Sequence, residues 1–128
     1  MREPEFLSPA IVGQLHADSL ALFGGSKGVR DWGLIESALA SARNTYLYGR
    51  GDVFDIAASY AFHIAQAQAY LDGNKRTAVA AALTFLKGND VKLRIDELAI
   101  YNAMIAIAEK RMTKSDLAAI FRKHTGDL

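Results

Sequence analysis

The sequence predicts an all-α fold, and three observations carry that prediction. Apolar residues recur at three- and four-residue spacings through most of the chain. The runs so defined open on Ser-Pro, Asp or Thr and close on Gly-Gly, Asp-Gly-Asn or Gly-Asn, which are the start and stop signals of helices. Two of the runs, Ala57–Ala69 and Thr77–Leu86, are apolar on nearly every face, as helices at the centre of a bundle are. The expected architecture is a bundle of about six helices built on that central apolar hairpin.

Ser8-Pro9 starts the first helix with a capping hydroxyl and a ring whose missing N–H would be unpaired anyway. Ile11, Val12, Leu15, Leu20 and Leu22 carry it over about residues 9–22, until Gly24-Gly25. A glycine-rich turn spans Gly24 to Val29, and Asp31 caps a second helix with Leu34, Ile35, Ala38 and Leu39 on one face, fading near Ala42. The stretch Asn44–Gly51 mixes β-formers with turn residues, so a loop or a short flap-like hairpin is expected there. Asp52 or Asp55 begins the third helix, Asp72-Gly73-Asn74 interrupts the hairpin, and Gly88-Asn89 ends its second arm. Val91 to Ile95 suits a short extended piece. Asp96 then caps a helix to about Glu109, and Thr113 with Asp116 forms a capping-box variant that opens a last helix to about His124.

Composition narrows the classes of function. With 128 residues, 51% hydrophobic and 23% charged, the chain fits one globular domain, 1–128. A formal charge of +1 sets up no field for nucleic acid or an anionic membrane, so neither is expected as a partner. The absence of cysteine removes disulfides, thiolate nucleophiles and Cys-ligated zinc, and fits a reducing compartment. Met1–Glu5 leads into a mixed segment and not into a signal peptide or a membrane span, so a soluble cytoplasmic protein is expected.

The chemistry is concentrated in Gln68-Ala69-Tyr70-Leu71-Asp72-Gly73-Asn74-Lys75-Arg76-Thr77, a polar island between two apolar helices. A Gly-Asn turn running into a helix presents backbone N–H groups at the positive end of the helix dipole, where anions bind. Lys75 and Arg76 stand at that same end, where the dipole disfavours cations, so an external anion is called for, most simply a phosphate. Asp72 is a hard oxygen ligand suited to Mg²⁺ on phosphate oxygens, and the island therefore suits a metal-bound nucleotide. An alternative stands beside this one: Asp72 as a helix cap, with Lys75 and Arg76 as surface cations paired to acidic neighbours. The GxxxxGK[ST] spacing of a P-loop is absent.

This segment resembles the core motif of the Fic/Doc family, His-x-Phe-x-(Asp/Glu)-(Gly/Ala)-Asn-(Gly/Lys)-Arg. The resemblance to its death-on-curing toxins runs over almost the whole chain, through His16 before Gly24-Gly25, Gly33–Leu39, and Asp72–Ala78 leading into Phe85-Leu86. It implies a Fic/Doc-like bundle with Asp72 as the Mg²⁺ ligand. It makes Gly73, Asn74 and Lys75 the anion-binding turn, has Asn74 touch phosphate through its side chain, and makes Arg76 a phosphate clamp. Adenylyl-transferring members carry Gly after the Asn and a second Arg three residues beyond the first, where this chain has Lys75 and Val79. The resemblance is thus to the branch that uses ATP as a protein kinase on elongation factor Tu, arrests translation, and is neutralised by a cognate Phd-like antitoxin.

One position departs from the pattern. The motif's His, six residues before the Asn, falls at Gln68, and the aromatic falls at Tyr70. The family's His takes the proton of the attacking hydroxyl, whereas an amide has no titratable lone pair. Gln68 could still orient a hydroxyl, as a Gln positions water in some nucleotide hydrolases. The alternatives to a kinase are a nucleotide- or antitoxin-binding module that has lost catalysis, and an adenylyl transferase acting on another protein. His63 sits about 140° around the helix from Gln68 and cannot replace the base. It is expected as a hydrogen-bonded core residue, His16 as structural, and His124 as a solvated helix end.

Overall fold

A computed structural model describes residues 3–94 and 96–124. Six helices follow in order: α1 (Pro9–Phe23), α2 (Trp32–Leu47), α3 (Val53–Ala67), α4 (Asn74–Gly88), α5 (Glu97–Ala108) and α6 (Lys114–Lys123). The all-α bundle anticipated from periodicity is the fold observed. Its centre is α3, with α2, α4 and α6 packed around it, while α1 and α5 lie against α4.

The sequence of α3 explains why it can be central. Ile56, Ala57, Ala58, Tyr60 and Ala61 are all buried, and the small alanines let neighbouring backbones approach closely. Tyr60 packs on Phe85 of α4 with ring centroids 5.2 Å apart. Its hydroxyl accepts the Leu7 N–H at 2.9 Å, which ties the segment before α1 to the core without leaving a buried donor unpaired.

Five of the six helices start on a side-chain cap. Ser8 accepts from the Ile11 N–H, Asp31 from Gly33, Asp96 from Leu98, and Asp52–Asp55 and Thr113–Asp116 form reciprocal capping boxes. Only α4 begins with no side-chain hydrogen bond to its free N–H groups; its N-cap is Gly73.

The expectation for Asn44–Gly51 needs correcting. Residues 44–47 are the last turn of α2 and not part of a hairpin. Packing overrides local propensity there: the Tyr46 ring meets Phe6 edge-on at 5.7 Å, and the Thr45 hydroxyl donates to the Ser41 carbonyl and lies 3.1 Å from the Ser59 hydroxyl. After α4 the Arg94 N–H donates to the His124 carbonyl at 2.8 Å. Ile95, the end of the extended piece expected over Val91–Ile95, lies outside the described residues, as do residues 1–2 and 125–128.

Candidate functional site

The end of α3 and the start of α4 are joined by six residues held in place from three sides. Gln68 closes α3 in the left-handed region, at φ 51° and ψ 40°. Its side-chain Nε2 folds back to donate to the Ala65 carbonyl at 2.9 Å, satisfying a carbonyl of the last turn. Its own carbonyl accepts from Arg30 Nη1 at 3.2 Å. The chain then runs antiparallel to the segment before α2, with a β-bridge between Val29 and Tyr70. The Arg30 N–H donates to the Ala69 carbonyl at 2.6 Å and the Leu71 N–H to the Gly28 carbonyl at 3.1 Å.

The turn itself is built around Tyr70 and Asn74. Asn74 Oδ1 accepts the Tyr70 N–H at 3.0 Å and its Nδ2 donates to the Tyr70 carbonyl at 2.9 Å. Both residues are buried. The side chain that the family resemblance assigns to phosphate is thus engaged with backbone in this structure, and the group Asn74 turns to the outside is its N–H. On the other side of Tyr70 the His16 imidazole stacks at 3.7 Å, tilted by 12°. Burial pushes the Tyr70 phenol above its ordinary value of 10.0, and its hydroxyl has no hydrogen-bond partner among the described residues.

Asp72 is exposed, but its carboxylate is oriented. Oδ1 accepts the Gly73 N–H at 2.9 Å and Oδ2 the Ser26 N–H at 3.2 Å. Gly25 makes that approach possible, because a Cβ there would stand 2.9 Å from Asp72 Oδ2 on a backbone with φ +127°. Asp72 therefore does not cap α4, and a carboxylate with about four lone-pair sites keeps acceptor capacity after two such bonds.

Gly73, at φ 78°, starts α4, and the first bond of the helix runs from the Thr77 N–H to the Gly73 carbonyl at 2.9 Å. The N–H groups of the first turn before Thr77 have no carbonyl behind them in the helix. Lys75 is exposed beside them. The Arg76 guanidinium stands 4.8 Å over the Phe23 ring, and among the described residues it forms no ion pair. Tyr101 of α5 faces the same opening; burial and the nearby Glu97 raise its phenol, against a lowering by Arg76.

These groups line one cleft of about 450 Å³, formed by Gln68, Leu71, Asp72, Gly73, Asn74, Lys75, Arg76 and Tyr101. It brings together every residue that the sequence marks as a site candidate. Two depressions adjoin it. One of about 290 Å³ shares Gln68 and Lys75 and is floored by Phe62, Ala65, Met104 and Ile107. The other, about 570 Å³, shares Arg76 and Tyr101 and runs between α1, α4 and α5 past Phe23 and Leu98.

The histidines stay out of the cleft. His63 meets Lys114 of α6 at 3.1 Å, and burial together with that cation pushes its pKa below the ordinary 6.5. His124 reaches the Ile120 carbonyl through Nδ1 at 2.9 Å, closing α6. Arg30, Ser26 and Tyr101 were not picked out as site residues from the sequence. The glycine-rich Gly24–Val29 turn was the available signal for the first two; nothing local marks Tyr101.

A metal fits only in a particular way. No group of three or more His, Asp or Glu side chains that could enclose an ion occurs among the described residues. Mg²⁺ is commonly held by one or two carboxylates together with substrate phosphates and waters, so Asp72 beside an uncapped helix N-terminus is a donor set of that kind. The unpaired Arg76, Lys75 and the uncapped N–H groups suit the phosphates themselves.

The chain is similar to Toxin Doc of Mycolicibacterium smegmatis (strain ATCC 700084 / mc(2)155), with 46% identity over 85 residues, 64% of either chain. It therefore spans just under two thirds of that relative's length. It is also similar to Protein kinase doc of Escherichia phage P1, 28% identical over 121 residues that cover 94% of this chain and 95% of that one. The model of the Fic/DOC family matches residues 6–86, from the segment before α1 to the end of the apolar hairpin, and the chain belongs to that family.

Proposed function

We propose that this chain is the toxin of a toxin–antitoxin module, a single cytoplasmic domain that uses Mg-ATP to phosphorylate a hydroxyl of elongation factor Tu and so blocks translation. The observation that carries the reading is the start of α4. Among the described residues it is the one helix without a side-chain cap, and it bears two cations that form no ion pair with an acidic residue there. A cation at the positive end of a helix is unfavourable unless an anion joins it. Similarity to a protein named a kinase supports a nucleoside triphosphate as the anion. Similarity to a protein named a toxin supports a cognate Phd-like antitoxin as the partner.

In this reading Arg76 grips phosphate through its planar guanidinium, Lys75 adds a mobile charge, and the N–H groups of Asn74 and Lys75 orient the anion, the Gly73 N–H being taken by the Asp72 carboxylate. Asp72 would hold Mg²⁺, which on phosphate oxygens neutralises charge that develops in transfer. Gln68 brings the acceptor. Its Nε2 is committed to the Ala65 carbonyl, and Oε1 remains to accept a hydrogen bond from the incoming hydroxyl. An amide oxygen orients that hydroxyl without taking its proton, and positioning with charge neutralisation supplies most of the catalysis of phosphoryl transfer.

The Nε2–Ala65 bond also favours a second reading, in which Gln68 serves as a helix cap and the chain binds nucleotide or antitoxin without catalysis. Incubating the protein and purified elongation factor Tu with ATP labelled at the γ or the α position separates the possibilities. Label from the γ position alone supports the kinase. Label from the α position shows adenylyl transfer, and no label with intact ATP binding shows the binding module.

A further inference from the structure

His16 lies on α1, far from the motif in sequence, yet it makes two contacts with the turn and leaves no more than van der Waals room beside Gly73. Nε2 is 2.8 Å from the Asp72 carbonyl oxygen, the ring stacks on Tyr70 at 3.7 Å, and His16 Cδ2 lies 3.6 Å from where a Gly73 Cβ would be. A carbonyl can only accept, so Nε2 carries the proton and donates. We propose that His16 is a positioning residue of this site, locking the Asp72–Gly73 peptide so that the N–H groups at the start of α4 stay aligned for an anion. The inference rests on the reading of the turn as a Mg-ATP site and goes beyond it by naming what holds the turn in shape.

The argument turns on one peptide unit. Its N–H is held by the Asp72 carboxylate at 2.9 Å, an exposed group, and its carbonyl by His16, which is only 6% exposed. Glycine at 73 tolerates both signs of φ, so the sequence leaves this plane free to rotate and the lock must come from elsewhere. Asn74 fixes Tyr70, one unit earlier, through both its backbone groups, but makes no bond to the Asp72–Gly73 plane. No other hydrogen bond to the Asp72 carbonyl is formed by the described residues. His16 touches none of the groups assigned to the anion, so its effect is exerted through this carbonyl.

Two substitutions separate the bond from the packing. His16→Phe keeps a ring against Tyr70 and removes the donor; His16→Gln loses the ring and keeps an amide Nε2 at similar reach. Two measurements read them: hydrogen exchange at the hydrogen-bonded amides of Gly73 and Thr77 without ligand, and Mg-ATP affinity by calorimetry. The proposal expects His16→Phe to unfold at nearly the native temperature, yet to exchange those amides about tenfold faster and to bind Mg-ATP about tenfold more weakly. His16→Gln should return both values to within about threefold of native. Native-like exchange and affinity in His16→Phe overturn it, as do losses in both variants that merely follow their melting temperatures. If the native chain binds no Mg-ATP, the proposed function fails, and the exchange measurement alone decides whether His16 locks the turn.

Discussion

Asn74 grips Tyr70 by both of its backbone groups, through bonds of 3.0 and 2.9 Å that close a ring across the turn. The Tyr70 hydroxyl, equally buried, is bonded to nothing among the described residues. The two polar groups should respond with opposite signs. Asn74→Ala strands a buried N–H and carbonyl and should cost about 2 kcal/mol, whereas Tyr70→Phe removes an unpaired hydroxyl and should be neutral or stabilising by up to roughly 1 kcal/mol. Denaturant unfolding of the two variants measures this. A Tyr70→Phe variant destabilised as much as Asn74→Ala would mean the hydroxyl has a partner.

Arg76 rests on the Phe23 ring at the cleft wall, and removing it takes no volume from the core. Arg76→Ala should leave the helical content unchanged while ATP binding weakens by about 1.5 to 3 kcal/mol, the worth of a hydrogen bond to a charged group. Growth arrest on expression should disappear. Arrest that persists undiminished in the variant contradicts the assignment of the clamp.

Asp72 is the one carboxylate in the cleft. Asp72→Asn keeps an acceptor for only one of the Ser26 and Gly73 N–H groups, which bond different oxygens of the carboxylate, and removes the charge a hard cation needs. Calorimetry with and without Mg²⁺ should therefore show a loss of nucleotide affinity mainly in the presence of the metal. Equal losses in both conditions would leave Asp72 a purely structural role.

His63 gives the fold a pH dependence of known sign. Burial, and then the Lys114 ammonium, lower its folded pKa below the ordinary 6.5, so on acidification the unfolded chain takes up this proton first. The contribution is complete above about pH 6.5 and is lost as pH falls through the folded value. Urea unfolding between about pH 7.5 and about pH 5 should show stability dropping in the native protein and dropping less in His63→Gln. Asp52, whose carboxyl burial raises but which hydrogen bonds from Asp55 and Arg122 bring to a net value below 3.8, acts at lower pH. An unchanged slope in His63→Gln would place the dependence on another group.

What the sequence made legible was local. Caps at Ser8, Asp31, Asp52, Asp96 and Thr113 are read from single residues and their neighbours, and they open five helices where expected. The polar island between two apolar runs stood out because a core hairpin has no stability reason to contain it. The features that escaped are set by long-range contacts. α2 reaches Leu47 because Phe6 lies beneath Tyr46, and the strand-like partner of Tyr70 is Val29, about forty residues earlier. The inward turn of the Asn74 amide and the fold-back of Gln68 onto Ala65 depend on rotamers, which spacing does not encode.

The rate of γ-phosphate transfer to elongation factor Tu, measured for the native chain beside Gln68→His, tests the central claim most directly. With positioning and charge neutralisation supplying most of the catalysis, the native chain should transfer phosphate slowly but measurably, Gln68→His should change that rate by less than about tenfold, and Gln68→Ala should lower it. A rise of about 10²-fold or more in Gln68→His over an inactive native chain would show instead that a base is indispensable here. Transfer by neither protein, although both bind Mg-ATP, would contradict the kinase.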